Sequence, residues 1–325
     1  MNATALEKSI YGDNIEVVSR ERDCTIYRLT DSVEETIMTS YAVFPGIELV
    51  YRDIHSPTCL VRRSNADLIL EISHCREGRM EYEMEDNYFY LSPGDISLLH
   101  RHDTEYTALF PLHHYHGISV IIDLERTPKC LSCFLEDVIV SPHALADKFC
   151  TAHPCYVARS SPGIEHIFSE LYHVPETVKR GYFKVKVLEL MLFLTALDTG
   201  TDESEKRCCS RSQVLLAREV CAYLSGHISD KITLEQLSEI FHVSGTSIRN
   251  SFRAVYGESV YSHIRTQKMQ MAAQMLLQSD GTVLDIAGQV GYENASKFSG
   301  AFRDVMGMTP NEYRIRERKK HIPDL

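Results

Sequence analysis

Two short stretches of this sequence repeat one another: FRAVYGESV at residues 252–260 and FRDVMGMTP at residues 302–310. Phe, Arg, Val and Gly recur at the same places in both, starting from Phe252 and Phe302. Self-similarity at a fixed spacing indicates a supersecondary unit that is used more than once. Two copies are too few for a stacked solenoid. The repeat therefore favours a pair of modules that do the same job at two places.

The first copy has the pattern of a helix, a tight turn and a second helix. Thr233, followed three residues later by Gln236, predicts a capping box at the start of the first helix. Ser244 is the predicted N-cap of the second helix, which should end at Gly257. The side chains predicted to face inward are Leu234, Leu237, Ile240 and Phe241 in the first helix and Ile248, Phe252 and Val255 in the second. This arrangement is typical of a helix-turn-helix.

The second copy follows the same plan. Thr282 with Asp285 predicts the first cap, and Asn294 predicts the second. Gly291 should supply the small residue that the turn needs, and alignment of the two copies predicts a turn one residue longer than in the first. The inward-facing side chains should be Phe298, Phe302 and Val305.

A helix without Pro or Gly is predicted between the copies, over SVYSHIRTQKMQMAAQMLLQ at residues 259–278. Its predicted apolar stripe consists of Val260, Ile264, Met271, Met275 and Leu276. Twenty residues at about 1.5 Å each give roughly 30 Å. Successive major-groove faces of B-DNA lie about 34 Å apart on one side of the duplex. A stiff spacer of this length would let two recognition helices read successive turns.

Composition and charge limit the class of protein. The chain has 325 residues, of which 44% are hydrophobic and 24% charged, and these are values of a globular protein with room for two domains. Residues 1–209 carry 20 Lys and Arg against 33 Asp and Glu, a balance of −13, whereas residues 210–325 carry 14 against 12, a balance of +2. This asymmetry predicts that only the C-terminal part meets a polyanion. No signal peptide or membrane-length apolar run is visible, so we expect a cytoplasmic protein without a membrane partner.

A polar stretch near residue 200 divides the chain. We predict an effector-sensing or dimerisation domain over residues 1–200, a linker over 201–212 and a DNA-binding domain over 213–325. In the first domain, short alternating runs predict a β-rich core at about 67–123, and helical patterns follow at about 127–197. The expected fold is α+β and multidomain: a β-rich barrel with helices, then an all-α domain of two helix-turn-helix units joined by a long helix.

Residues 213–314 resemble the DNA-binding domain of the AraC/XylS family of bacterial transcription regulators. The family signature is matched within DIAGQVGYENASKFSGAFRDVMGMTPNEYR by Ile286, Ala287, Gly291, Phe298, Phe302, Gly307, Pro310 and Tyr313. The resemblance implies a sequence-specific regulator of double-stranded DNA rather than an enzyme, frequently an activator, for which RNA polymerase is an expected partner. Ser92-Pro93-Gly94-Asp95 similarly resembles a turn of cupin barrels, so the sensor domain is expected to be cupin-like.

The resemblance also implies roles for individual residues. In the first recognition helix Thr246, Arg249 and Asn250 should reach base edges, and Arg253 should reach a phosphate; Arg suits guanine and Asn suits adenine. In the second helix the residues expected to face the groove are Ala295, Ser296, Lys297 and Ser299, with Arg303 on the backbone. Gly300 stands where many members carry a large polar residue. The second unit is therefore expected to read shape and phosphate more than bases.

Three alternatives for the effector of the first domain remain open: a small molecule in the barrel, a metal ion, or no direct ligand. Side chains alternate along a strand, so that residues two apart lie on the same face. The imidazoles of His100 and His102 would then share one face, as would those of His114 and His116, and these four are the candidate metal ligands. The cupin metal pattern is incomplete because Glu105 stands where a histidine is expected. We therefore predict no cofactor and an unknown small-molecule effector.

Two other functions compete with that of a plain regulator. One is a cupin-type metal sensor or metalloenzyme fused to the DNA-binding helices. The other is a DNA-repair sensor with a zinc-bound cysteine, which would need a tight four-cysteine cluster. The ten cysteines are scattered, although Cys130 and Cys133 have redox spacing and Cys208 and Cys209 are adjacent. We interpret them as free thiols packed as small hydrophobic side chains.

The helix predicted over residues 182–197 is apolar over more than one stripe of its circumference. Such a helix is normally buried on more than one side. The barrel and the helix predicted over 164–174 can cover one side, and two-fold self-association can cover another. We therefore predict a homodimer formed through residues 164–197, although complete coverage within one chain is the alternative.

Overall fold

The computed structural model describes residues 2–30, 36–56, 58–61, 68–84, 87–101, 106–129, 131, 140–151, 153–198 and 208–320. The chain divides into two compact units, Met1–Arg211 and Ser212–Leu325. No helix within the described ranges is both long enough and apolar enough to span a membrane.

The first unit is built on antiparallel strands. In chain order the described strands are β1 Ile15–Arg20, β2 Cys24–Leu29, β3 Ile37–Phe44, β4 Ile47–Ile54, β5 Thr58–Val61, β6 Ile69–Gly78, β7 Met80–Met84, β8 Asn87–Leu91, β9 Asp95–Arg101, β10 Tyr106–Leu109, β11 Tyr115–Asp123, β12 Cys155–Arg159 and β13 Cys208–Ser210. They form an eight-stranded sheet in the order β1-β2-β3-β4-β11-β6-β9-β12 and a five-stranded sheet in the order β13-β8-β7-β10-β5. The described strands thus pair as two sheets and not around one closed barrel.

Four helices accompany the sheets of the first unit: α1 Ala5–Tyr11, α2 Pro142–Cys150, α3 Pro162–Leu171 and α4 Lys179–Ala196. Alternating residues of the larger sheet face two different cores. On β6, Ile69 belongs to a cluster shared with the smaller sheet, whereas Leu70 belongs to a cluster shared with α2, α3 and α4. The larger sheet is therefore covered by helices on one face and by the smaller sheet on the other.

The β-rich region is more extensive than the sequence analysis indicated. Strands β1 to β5 precede residue 67, and β3 and β4 form a hairpin around Gly46, whose φ is +73°. The predicted linker over 201–212 also differs. Its residues 201–207 lie outside the described ranges, but Cys208–Ser210 adds strand β13 to the edge of the smaller sheet beside β8, and a helix begins at Arg211. Such an edge strand satisfies backbone groups that would otherwise be unpaired.

A buried ion-pair network lies between the two sheets. The Glu71 carboxylate is fully buried and bonded to the guanidinium groups of Arg52, at 2.7 Å, and Arg101. Arg101 also donates to the Ile10 carbonyl over 2.9 Å. Burial alone would raise the pKa of Glu71, but the charges of Arg101 and Arg52 lower it to about 2. The interior of this unit therefore holds charged side chains in fixed positions.

The second unit is entirely helical in its described part. The helices are α5 Arg211–Gly226, α6 Leu234–Phe241, α7 Gly245–Tyr256, α8 Val260–Gln278, α9 Val283–Gln289, α10 Ala295–Met306 and α11 Pro310–Lys320. The predicted order, a β-rich unit followed by two helix-turn-helix units joined by a long helix, is confirmed.

The long helix α8 packs differently from its predicted stripe. The buried residues of α8 are His263, Lys268, Met269, Ala272, Ala273 and Leu276. Of the predicted stripe only Leu276 is fully buried, whereas Val260, Ile264, Met271 and Met275 are half-buried. The stripe was wrong because small alanines and two polar side chains occupy the centre of the contact face, which hydrophobicity alone does not reveal.

Candidate nucleic-acid interface

The first helix-turn-helix consists of α6 and α7. Thr233 and Gln236 form the predicted capping box, and the Ser244 side chain accepts from the Ser247 amide at the start of α7. The second helix ends at Gly257, as predicted. Ile248, Phe252 and Val255 are buried. On α6 the predicted apolar face is only partly correct, since Leu237 alone is fully buried and Ile240 is 43% exposed.

The second helix-turn-helix consists of α9 and α10. Thr282 and Asp285 form the predicted capping box, and the Asn294 side chain accepts from the amides of Ser296 and Lys297. Phe298 and Phe302 are fully buried, and Val305 packs against their cluster in a half-buried position. The second copy therefore has the same plan as the first.

The turns of the two copies differ by one residue, as predicted. The first-helix caps Thr233 and Thr282 are 49 residues apart, whereas the second-helix caps Ser244 and Asn294 are 50 apart. At the 49-residue offset, His242 of the first turn corresponds to Gly291 of the second. Both have left-handed backbones, with φ of +54° and +79°. The same turn conformation therefore recurs, with glycine in only one copy.

Gly291 also permits a close approach between backbones. A Cβ atom at this position would lie 2.3 Å from the carbonyl oxygen of Ser229. Ser229 in turn donates its hydroxyl to the Gln289 carbonyl over 2.7 Å. The turn of the second copy is thus held against the segment that precedes α6.

The side chains predicted to meet bases project from the first recognition helix into solvent. Thr246, Arg249, Asn250 and Arg253 are all exposed on α7. Within the described ranges, none of the side chains of Arg249, Asn250 and Arg253 has a hydrogen bond or an ion pair. Unpaired guanidinium and amide groups on one exposed helix face retain their full capacity for bidentate hydrogen bonds.

The second recognition helix presents a smaller and less basic surface. Ser296, Lys297 and Arg303 are exposed on α10, whereas Ala295 and Ser299 are half-buried. Lys297 lies within electrostatic reach of Glu293, and Arg303 within reach of Glu312. At Gly300 an added Cβ would meet no atom within 4 Å. The outer face of α10 is therefore open but sparsely equipped with hydrogen-bond donors.

Helix α8 connects the cores of the two copies. Its His263 ring packs against Phe252 and Tyr256 of the first copy, with ring centroids 5.4 and 4.7 Å apart. Its residues Met269 and Leu276 belong to the apolar cluster of the second copy. The helix has 19 residues, which correspond to about 28 Å. The two recognition helices are therefore held on one continuous rod.

The three candidate histidines that the structure describes, His100, His114 and His116, do not lie together in one site. His100 pairs with Leu70 near the start of β6, and His116 pairs with Glu77 near its end. Seven residues of strand separate them by roughly 23 Å. The His114 and His116 rings are 6.2 Å apart. His102, Glu105 and the Cys130–Cys133 pair lie outside the described residues.

Two residues that the sequence analysis missed complete a cluster around His116. Asp53 of β4 is its partner across the sheet, and His55 follows on the same face of the chain. The Asp53 Oδ1 atom lies 2.9 Å from His55 Nε2 and 3.2 Å from His116 Nδ1. One ligand atom from each residue lies within 4.8 Å of the other two. The Asp-x-His spacing was visible in the sequence, but its pairing with β11 was not.

Comparisons with known proteins give the same picture of the C-terminal unit. Residues 237–316 match the helix-turn-helix domain family. The MmsAB operon regulatory protein of Pseudomonas aeruginosa is 32% identical over 98 residues, which are 30% of this chain and 32% of that protein. The RCS-specific HTH-type transcriptional activator RclR of Escherichia coli is 39% identical over 87 residues, 27% of this chain and 31% of that protein. The match thus spans less than a third of the length of either relative.

Among solved structures, the DNA-binding domain of AdpA in complex with a target DNA is 27% identical to this chain. The alignment covers 32% of this chain and 94% of the AdpA chain, with a TM-score of 0.31.

Proposed function

We propose that this chain, whose C-terminal unit is a helix-turn-helix domain of the AraC type, is a transcription regulator that reads two successive major grooves of double-stranded DNA. The observation that carries the proposal is the pair of similarly capped units joined by one 19-residue helix, with unpaired Arg249, Asn250 and Arg253 on the first. The proposal assigns the chain no enzymatic activity. It places the protein in the cytoplasm with its DNA, and RNA polymerase is its partner in activation.

The proposed division of roles follows the exposure of the side chains. Thr246, Arg249 and Asn250 contact base edges, while Arg253 contacts a phosphate. On α10, contacts to shape and phosphate dominate, and they come from Ala295, Ser296, Lys297, Ser299 and Arg303. The weaker second reader is supported by the absence of a side chain at Gly300 and by the carboxylates near Lys297 and Arg303.

The test compares Arg249→Ala with Arg253→Ala in the full-length protein. Arg249→Ala should remove about 1–3 kcal/mol of discrimination at one base pair, since a bidentate contact to guanine is lost. Arg253→Ala should weaken binding to all sequences about equally and lower the slope of log affinity against log salt by about one. Arg316→Ala, an exposed arginine on α11, is the matched control. Uniform losses in both test variants would contradict the placement of α7 in the groove.

The first unit is proposed to sense an effector and to dimerise. Helix α4 has two opposite apolar faces, because Phe183, Val187, Leu190 and Leu194 are buried while Val185 is 60% exposed. The exposed face continues to half-buried Leu188 and Leu192. Val178, Val185 and Leu192 are spaced by seven residues, the repeat of a two-helix seam. A symmetric α4–α4 contact would cover this face.

A metal ion is a second candidate for the effector, favoured by the Asp53–His55–His116 cluster. Two imidazoles and one carboxylate suit zinc and neighbouring transition metals, which bind such ligands at roughly 2.0–2.2 Å. One metal ion between the three side chains would be coordinated by all of them, in place of the two hydrogen bonds that Asp53 makes with His55 and His116. Full-length protein purified without chelators should retain about one equivalent of zinc, and His55→Asn should lose it. His166→Asn, at an exposed histidine on α3, is the control, and equal zinc content in both variants would exclude the site.

A further inference from the structure

Three side chains from separate segments form a hydrogen-bonded chain in the second unit. The Cys221 Sγ atom on α5 lies 3.4 Å from His263 Nε2 on α8. His263 Nδ1 lies 2.9 Å from the Glu258 carboxylate, in the turn between α7 and α8. A thiol, an imidazole and a carboxylate in this order are the elements of an activated nucleophile, in which the carboxylate orients the ring and the ring accepts the thiol proton.

Cys221 differs in this respect from the other cysteines whose side chains the structure describes. Burial raises the pKa of Cys24, Cys75, Cys150, Cys155, Cys208 and Cys209. Burial acts on Cys221 in the same direction, but hydrogen bonds from His263 and Tyr256 and the charge of His263 outweigh it and lower its pKa. Burial lowers the pKa of His263, but Cys221 and Glu258 raise it to about 9. The lowered pKa of the Cys221 thiol and the raised pKa of the His263 imidazole both favour a thiolate–imidazolium pair.

The groups around the thiol and its histidine partner come from several elements. They are Tyr256 from α7, Glu258 before α8, His263 and Gln267 from α8, and Ser225 from α5 itself. The Gln267 Nε2 amide lies 3.1 Å from His263 Nε2 and donates to it when that ring nitrogen carries no proton. Glu258 is the one carboxylate of this set, and it contacts the ring and not the sulfur. The negative charge of a thiolate is therefore opposed by no neighbouring anion in direct contact.

The cluster is directly packed against the first recognition helix. His263 contacts the rings of Phe252 and Tyr256, which lie on the inner face of α7. Arg249 and Arg253 project from the outer face of that helix. Cys221 itself is only half-buried, so a small reagent can reach it. An atom added to its sulfur would have to be accommodated where α5, α7 and α8 meet.

We propose that Cys221 is an oxidant-responsive modification site that is activated by His263 and Glu258 and alters DNA reading by the first helix-turn-helix. The thiolate sulfur attacks the terminal oxygen of a hydroperoxide. An S–O bond forms and the O–O bond breaks, so that sulfur is oxidised by two electrons to sulfenic acid. The alcohol or water oxygen that leaves takes the proton of the His263 imidazolium. Oxidation of the thiolate and loss of the imidazolium proton together remove the ion pair between Cys221 and His263. His263 and the adjoining residues of α7 then move.

The chemical test measures alkylation of individual cysteines by iodoacetamide in the full-length protein, using peptide mass spectrometry. At neutral pH Cys221 should react at least about tenfold faster than half-buried Cys208, because each unit of pKa difference changes the thiolate fraction about tenfold. Glu258→Gln should reduce the rate at Cys221 severalfold and shift its pH profile upward, whereas a purely structural role for Glu258 would leave that profile unchanged. Equal rates at Cys221 and Cys208 would overturn the proposal.

The functional test measures affinity for a genomic DNA fragment that the untreated protein selects, before and after hydrogen peroxide. Affinity should fall at least about fivefold, recover with dithiothreitol, and remain unchanged in Cys221→Ser, while Cys208→Ser should behave like the parent. Loss of affinity in Cys221→Ser on oxidation would overturn the proposal. The link to DNA rests on the proposed function. A protein that selects no DNA even before oxidation would refute that function, whereas the alkylation rates would still decide the thiol site.

Discussion

Replacing Gly300 by alanine should stabilise the second unit, and the same replacement at Gly291 should destabilise it. Gly300 lies in the interior of α10, and its added Cβ would meet no atom within 4 Å. Alanine in a helix interior is favoured over glycine by about 1 kcal/mol. Gly291 has a left-handed backbone, and its Cβ would lie 2.3 Å from a carbonyl oxygen. A left-handed residue with a side chain costs roughly 1–2 kcal/mol before any clash, so the loss should exceed about 2 kcal/mol.

Hydrogen exchange of the full-length protein, read by mass spectrometry on peptides from α8 and α10, measures these changes within one unit. One kcal/mol corresponds to a change of about fivefold in protection, and two to about thirtyfold. Gly288→Ala is the control, because Gly288 also lies in a helix and a Cβ added there would meet no atom within 4 Å. Hydrogen-exchange protection of the second unit should not fall in this variant. Lower protection in Gly300→Ala would refute the outward placement of residue 300. Unchanged protection in Gly291→Ala would refute the close approach to Ser229.

Three further predictions concern other parts of the chain. His242 holds a left-handed backbone without glycine, which costs roughly 1–2 kcal/mol, whereas the freedom of glycine in the unfolded chain costs about 0.5–1 kcal/mol. His242→Gly should therefore stabilise the first helix-turn-helix by about 0.5–1 kcal/mol in the same exchange assay; a loss of protection would contradict this. In the folded state the pKa of the Glu71 carboxyl is lowered from 4.5 to about 2. This difference contributes about 3 kcal/mol to the free energy of unfolding above pH 4.5, and the contribution is lost as the pH falls from 4.5 through about 2. Urea unfolding of the β-rich unit followed by tyrosine fluorescence should show this loss, which should be absent in Glu71→Gln. Val185→Glu should convert a dimer to a monomer in light scattering, whereas Lys184→Glu, about 100° round α4, should not; a monomeric parent protein would exclude the dimer.

The sequence predicted the helix ends of the second unit well because their determinants are local. Thr233 with Gln236, Ser244 and Asn294 each bond to an amide two or three residues away. Such contacts form whenever the chain turns into a helix, so they can be recognised from spacing alone. The same locality explains the correct difference of one residue between the two turns.

Contacts between distant residues were not predictable in this way. Lys268 is buried on α8 with its Nζ atom over the Tyr292 ring and beside Gly291, and no hydrophobic periodicity indicates that. His116 approaches Asp53 only because β11 pairs with β4 in one particular register. Cys221 and His263 are 42 residues apart. In each case the packing of separate elements decides which polar groups meet.

The packing of α8 into both cores has a mechanical consequence for the DNA. A rod of about 28 Å is shorter than the helical repeat of about 34 Å. His263 packs into the first copy near the start of the rod, and Met269 at its middle and Leu276 near its end pack into the second, so α8 joins the two units without a break. In the proposed complex, where both units engage the same side of one duplex with the spacing of this rod, the DNA would have to curve toward the protein. Smooth bending of a short site costs on the order of 1–6 kcal/mol. The stiffness of each promoter then enters its affinity, so that two sites with identical contacted bases differ in occupancy according to the flexibility of the base pairs between them.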